Sequence, residues 1–113
     1  MSLYNNLPVY RASYDLLVDL FRLTKDFSRE YKYTLGESIK KEVVEMISNI
    51  YRANSTIDNR KEKIQLAREN VEITRLFLRL LKDLKQVGLK KFILLNEKIE
   101  SASRQLAAWQ SKS

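Results

Sequence analysis

The chain has 113 residues and a formal net charge of +7, from 21 basic against 14 acidic side chains, with no histidine and no cysteine. One domain of this length buries roughly two-thirds of the surface its unfolded form exposes, which leaves no room for a deep cleft between two lobes. Without histidine or cysteine there is no commonest general base, thiolate nucleophile, disulfide or soft metal ligand, so neither an enzyme, a metal nor a cofactor is expected.

A hydrophobic fraction of 44% beside 31% charged residues is that of a folded chain. Two glycines and one proline cannot supply the turns an all-β domain needs, so the fold class expected is all-α. No apolar run reaches the roughly 20 residues that cross a bilayer. The N-terminus has no basic segment followed by an apolar one. No membrane partner is therefore expected, and the cytoplasm is the expected compartment.

Four helices are predicted within one domain spanning 1–113, at about 8–27, 35–54, 57–87 and 89–110. The first opens at Pro8, suited to a first helical position, with Asn6 or Leu7 as cap. Val9, Ser13, Leu16, Leu17, Leu20, Thr24 and Phe27 form its apolar face. A polar connection covers Ser28 to Tyr33. The second opens on Thr34-Leu35-Gly36-Glu37, which fits a capping box, and Glu37 and Lys41 form a favourable pair one turn apart. Its stripe is Leu35, Ile39, Val43, Met46, Ile47, Ile50 and Ala53.

The third carries two apolar rows: Ile64, Ala67, Val71, Thr74, Leu78 and Leu81, then Leu66, Ile73, Phe77, Leu80 and Leu84. Its first turn is polar, and Gly88 is its expected stop. Together the rows cover more of the helix than one bundle face requires, so Phe77, Leu80 and Leu84 are expected at an interface between copies. The fourth repeats Phe92, Leu95, Ile99, Ala102, Leu106 and Trp109. Short breaks between consecutive helices imply an antiparallel up-down-up-down four-helix bundle.

Six of the seven net positive charges lie in the third and fourth helices. Lys61, Arg68, Arg75, Arg79 and Lys82 project within about 60° of one another on a helical wheel, a row able to follow a phosphate backbone. Glu72 can pair with Arg68 and Arg75, which would make the same row an ordinary solvated face. Tyr10, Tyr14, Tyr31, Tyr33, Tyr51 and Trp109 can stack on bases or sit at the core edge. No zinc-finger spacing, phosphate loop or aromatic RNA-binding signature occurs, so any nucleic-acid contact would be led by the backbone.

Leu7-Pro8-Val9-Tyr10 and Tyr14-Asp15-Leu16-Leu17 resemble the opening of the four-helix-bundle family of 23S rRNA intervening-sequence proteins. Tyr33-Thr34-Leu35-Gly36-Glu37, Thr74-Arg75-Leu76-Phe77-Leu78-Arg79-Leu80-Leu81 and Leu106-Ala107-Ala108-Trp109 are similar to one branch of it, the accessory variability determinant proteins of diversity-generating retroelements. The resemblance implies a basic homopentameric barrel that binds nucleic acid non-specifically and acts with a reverse transcriptase. It makes Arg75 and Arg79 the first candidates for the contact surface. The alternative is a protein-interaction scaffold of the same family with no nucleic-acid role.

Overall fold

The computed structural model describes residues 6–113. The residues before Asn6, on which the expectation of no secretory signal rests, lie outside it. The helices are α1 (Pro8–Thr24), α2 (Arg29–Lys32), α3 (Leu35–Ser55), α4 (Arg60–Asp83) and α5 (Leu89–Lys112). α1 and α4 each pack against both α3 and α5, so the four long helices form a bundle around one core. Leu16, Leu20, Ile39, Met46, Ile50, Ile64, Leu78, Leu81, Leu95, Ile99 and Leu106 are fully buried in it. All of them belong to the apolar stripes read from the helical period. No described helix is long and apolar enough to cross a membrane.

The first predicted helix stops at Thr24 rather than Phe27. Phe27 is buried all the same, carried inward by a turn in which its N–H donates to the Thr24 carbonyl. The polar connection after it contains a helical turn, α2. That turn dismantles the predicted capping box. Thr34 stands just past the end of α2, and its hydroxyl donates to the Glu30 carbonyl at 2.8 Å instead of capping α3. Glu37 pairs with Lys40 at 2.9 Å rather than with Lys41. Gly36 sits where α3 starts in a tight place: a Cβ there would lie 3.2 Å from the Tyr31 carbonyl oxygen, closer than most such contacts.

The third predicted helix is shorter at both ends, Arg60 to Asp83 instead of 57–87. Its stop is not Gly88, which is extended (φ −74°, ψ 162°) and leads into α5. The chain leaves α4 through Lys85 at φ 62°, closed by N–H bonds from Lys85 to the Lys82 carbonyl and from Gln86 to the Leu81 carbonyl. Glycine is the usual residue at such a left-handed helix end, and a side chain there costs about 1 kcal/mol.

α3 and α4 share a buried polar contact. The Asn49 amide donates to Asn70 Oδ1 at 2.9 Å, and the Asn70 amide donates to Glu42 Oε2 at 2.6 Å. Of the three residues expected between copies, Phe77 packs against the core of its own chain and Leu84 is half-buried. A phenylalanine at the edge of the α4 stripe reaches back over its own bundle. Leu80 is 38% exposed, in line with Leu66 and Ile73.

Candidate nucleic-acid interface

The basic row of α4 faces α5, and neighbouring side chains take up much of it. The Lys61 carbonyl accepts from the Gln110 amide at 3.1 Å, and the Arg68 guanidinium donates to Gln110 Oε1. Arg75 crosses to α5, where Nε donates to Glu100 Oε1 at 3.0 Å and Nη2 donates to the same oxygen, while Nη1 donates to Glu72. The bond from Glu72 raises the Arg75 pKa above its ordinary value, partial burial works against it, and Glu100 raises it further. Lys82 lies 4.9 Å over the Phe92 ring. Arg79 points outward, its side chain 73% exposed and 3.9 Å from Asp83. Arg68, Arg75 and Lys82 thus form a seam between helices, while the Lys61 and Arg79 side chains at the two ends of the row are exposed.

Folding gathers positive charge elsewhere. The Ser28 N–H donates to Gln86 Oε1 at 2.9 Å, so the turns after α1 and after α4 meet at one end of the bundle. Residues 22–41 and 79–91, which build that end, hold eleven basic and four acidic side chains. The remaining ten basic and ten acidic residues cancel. The whole net charge of +7 is therefore concentrated at one pole.

Lys85, Lys90 and Lys91 are exposed there beside Arg79. Lys90 and Lys91 stand in the first turn of α5, which has no acidic residue and no side-chain cap. Positive charge at a helix N-terminus opposes the macrodipole and costs a few tenths to about 1 kcal/mol per charge. Local rules broken in this way are expected where function requires it. The free N–H groups of the same turn are suited to a phosphate.

Sequence reasoning missed these lysines because a wheel drawn on one helix cannot show charges meeting from three segments. The one local signal was two lysines directly after Gly88-Leu89. Among the tyrosines, Tyr10 and Tyr31 pack on the core, as does Trp109, whereas Tyr14, Tyr33 and Tyr51 are exposed.

A family model described as bAvd-like matches residues 9–113. A solved structure described as a protein of unknown function from the S23 ribosomal protein family of Bacteroides thetaiotaomicron superposes with a TM-score of 0.84. It is 18% identical, with 96% of this chain and 99% of that one covered. A likeness at that identity concerns the fold. No curated protein is significantly similar in sequence.

Proposed function

Since the chain belongs to the bAvd-like family, we propose that it is a non-catalytic, basic, oligomeric bundle that binds nucleic acid as an accessory factor to a reverse transcriptase in the cytoplasm. The reading takes the bundle as up-down-up-down and the assembly as a homopentameric barrel, in keeping with the resemblance read from the sequence. The observation that carries it is the concentration of the net charge at one pole, with Lys90 and Lys91 kept where the α5 dipole disfavours them. Lysines and arginines at that density neutralise phosphates and release counterions, without reading bases.

Titrating a fluorescent single-stranded RNA and a DNA duplex at two salt concentrations tests this. Affinity should fall steeply with salt, and Lys90→Glu with Lys91→Glu should flatten the salt slope by about two phosphate contacts. Binding indifferent to salt and to both substitutions would sink it. A second reading, a protein-interaction scaffold, draws on the exposed apolar residues Leu66, Ile73 and Leu80. Its partner binding would hardly respond to salt.

A further inference from the structure

A cleft of about 360 Å3 lies between α1 and α5, at the lower end of the about 300–1,000 Å3 usual for small-molecule sites. Leu23, Leu94 and Leu95 give it an apolar wall, and Leu94 is half exposed. Its polar side chains fall into two groups. Away from the basic pole, the Lys98 ammonium donates to Asp19 Oδ2, the two side chains being 37% and 33% exposed. Towards the pole stand Arg22, Asp26 and Lys91, all exposed. None of these three is in an ion pair among the described residues.

An ion pair open to water contributes little to stability, and one that only tied α1 to α5 would need no space beside it. The Asp19–Lys98 pair keeps further hydrogen-bonding capacity, since an ammonium has three donors and a carboxylate about four acceptor positions. Together they offer an ordered edge of one donor followed by two acceptors. That order is the complement of the Watson–Crick edge of guanine, where the O6 acceptor is followed by the N1–H and N2–H donors. Adenine and cytosine offer one amino donor beside an acceptor, and uracil one N–H between two acceptors. Guanine alone fills both carboxylate oxygens and the ammonium at once.

We propose that this cleft binds one guanine nucleotide, with the base edge on Asp19 and Lys98, the base plane along Leu94 and Leu95, and the phosphate on Arg22 and Lys91. Arg22 and Lys91 lie three and seven residues nearer the pole than Asp19 and Lys98, about 4.5 and 10.5 Å along the helix axes, a span that one nucleotide covers. Asp26, at the mouth of the cleft, repels additional negative charge. A phosphodiester within a strand therefore suits the site better than a terminal phosphate. The inference rests on the nucleic-acid reading above. It adds to the backbone contacts a preference for strands with an unpaired guanine, because only an unstacked base presents that edge.

Fluorescence anisotropy on the full chain tests this with a nonauridine RNA, the same strand with a central guanosine, and the same strand with a central inosine, which lacks the 2-amino group. The guanosine strand should bind about tenfold more tightly than the uridine strand, as a bidentate base contact would give, and inosine should lose part of that gain. Asp19→Asn keeps the side-chain shape but sets a donor against the base's own donors. It should abolish the guanosine preference without weakening the uridine strand. Circular dichroism checks that the variant is folded; if it is not, Lys98→Met, which removes the donor to O6, should abolish the preference in its place. Excess 5′-GMP tells the two sources apart: lowering the guanosine strand to uridine affinity assigns the cleft to the free nucleotide as well, and no effect confines it to a strand. Equal affinity for the uridine and guanosine strands, or a preference that survives Asp19→Asn in folded protein, overturns the guanine site. Salt-dependent binding of both strands would then leave the nucleic-acid reading standing. If no strand binds at all, both fall.

Discussion

Ser28 and Gln86, 58 positions apart, are joined by a bond from the backbone N–H of the first to the side-chain oxygen of the second, 2.9 Å long. It fastens the turn after α1 to the turn after α4 at the end where like charges crowd. Replacing Gln86 by Ala should cost up to about 1 kcal/mol, as for a solvent-accessible hydrogen bond. The sharper readout is the exchange rate of the Ser28 amide, which should rise in Gln86→Ala. An unchanged rate would mean that the two turns are held together by something else.

Lys90→Glu with Lys91→Glu should move stability and affinity in opposite directions. Two acids in the first turn of α5 favour the dipole, and each swap should stabilise the fold by a few tenths to about 1 kcal/mol. Nucleic-acid affinity should fall in the same protein. Urea unfolding and an RNA titration on one preparation separate this outcome from damage to the fold, which would lower both.

Lys85 makes the same point through the backbone. At φ 62° glycine is free of the Cβ penalty, so Lys85→Gly should add about 1 kcal/mol. For a domain of this size that raises Tm by about 4 °C. Calorimetry checks it, and a lowered Tm would rule out strain at this turn.

Arg75 and Arg79, one turn apart, should behave differently. Arg75→Ala removes the link from α4 to Glu100 and should cost about 1 kcal/mol, the usual strength of a charge-assisted bond being reduced by partial exposure. Arg79→Ala should stay within about 0.5 kcal/mol while weakening RNA binding. Because the Arg75 pKa is raised above its ordinary value, its share of stability is fully present below the unfolded pKa. It is lost only as pH rises through the still higher folded value. Urea midpoints of wild type and Arg75→Ala should therefore differ by the same amount at pH 6 and pH 9.

Asn70→Ala leaves the buried Asn49 amide without the acceptor it has 2.9 Å away. An unsatisfied buried donor costs about 1–3 kcal/mol. The loss should exceed that of Gln86→Ala in the same urea series. Equal losses would show water entering the α3–α4 contact.

The core was legible in the sequence because burial repeats with the helical period: Ile64, Leu78 and Leu81 announce their face one turn at a time. Helix ends were less legible, since they depend on what competes for a side chain. Thr34 has a capping residue's chemistry, but α2 arrives first and takes its hydroxyl. Gly88 has a stop residue's chemistry, but Lys85 three positions earlier takes the left-handed conformation. The candidate interface was least legible of all. Arg68 and Arg75 share a face of α4, but only the fold shows that α5 covers it. Lys25, Lys40 and Lys90 lie far apart in the chain and come to the same end of the bundle only when it folds.

A body 43 Å long and half as wide, with its excess charge at one tip, experiences a torque as well as a pull in the field of a polyanion. It turns tip-first before contact, so a larger share of collisions arrive in a productive orientation. Added salt shortens the distance over which that turning happens, and the association rate should register the change before the lifetime of the complex does.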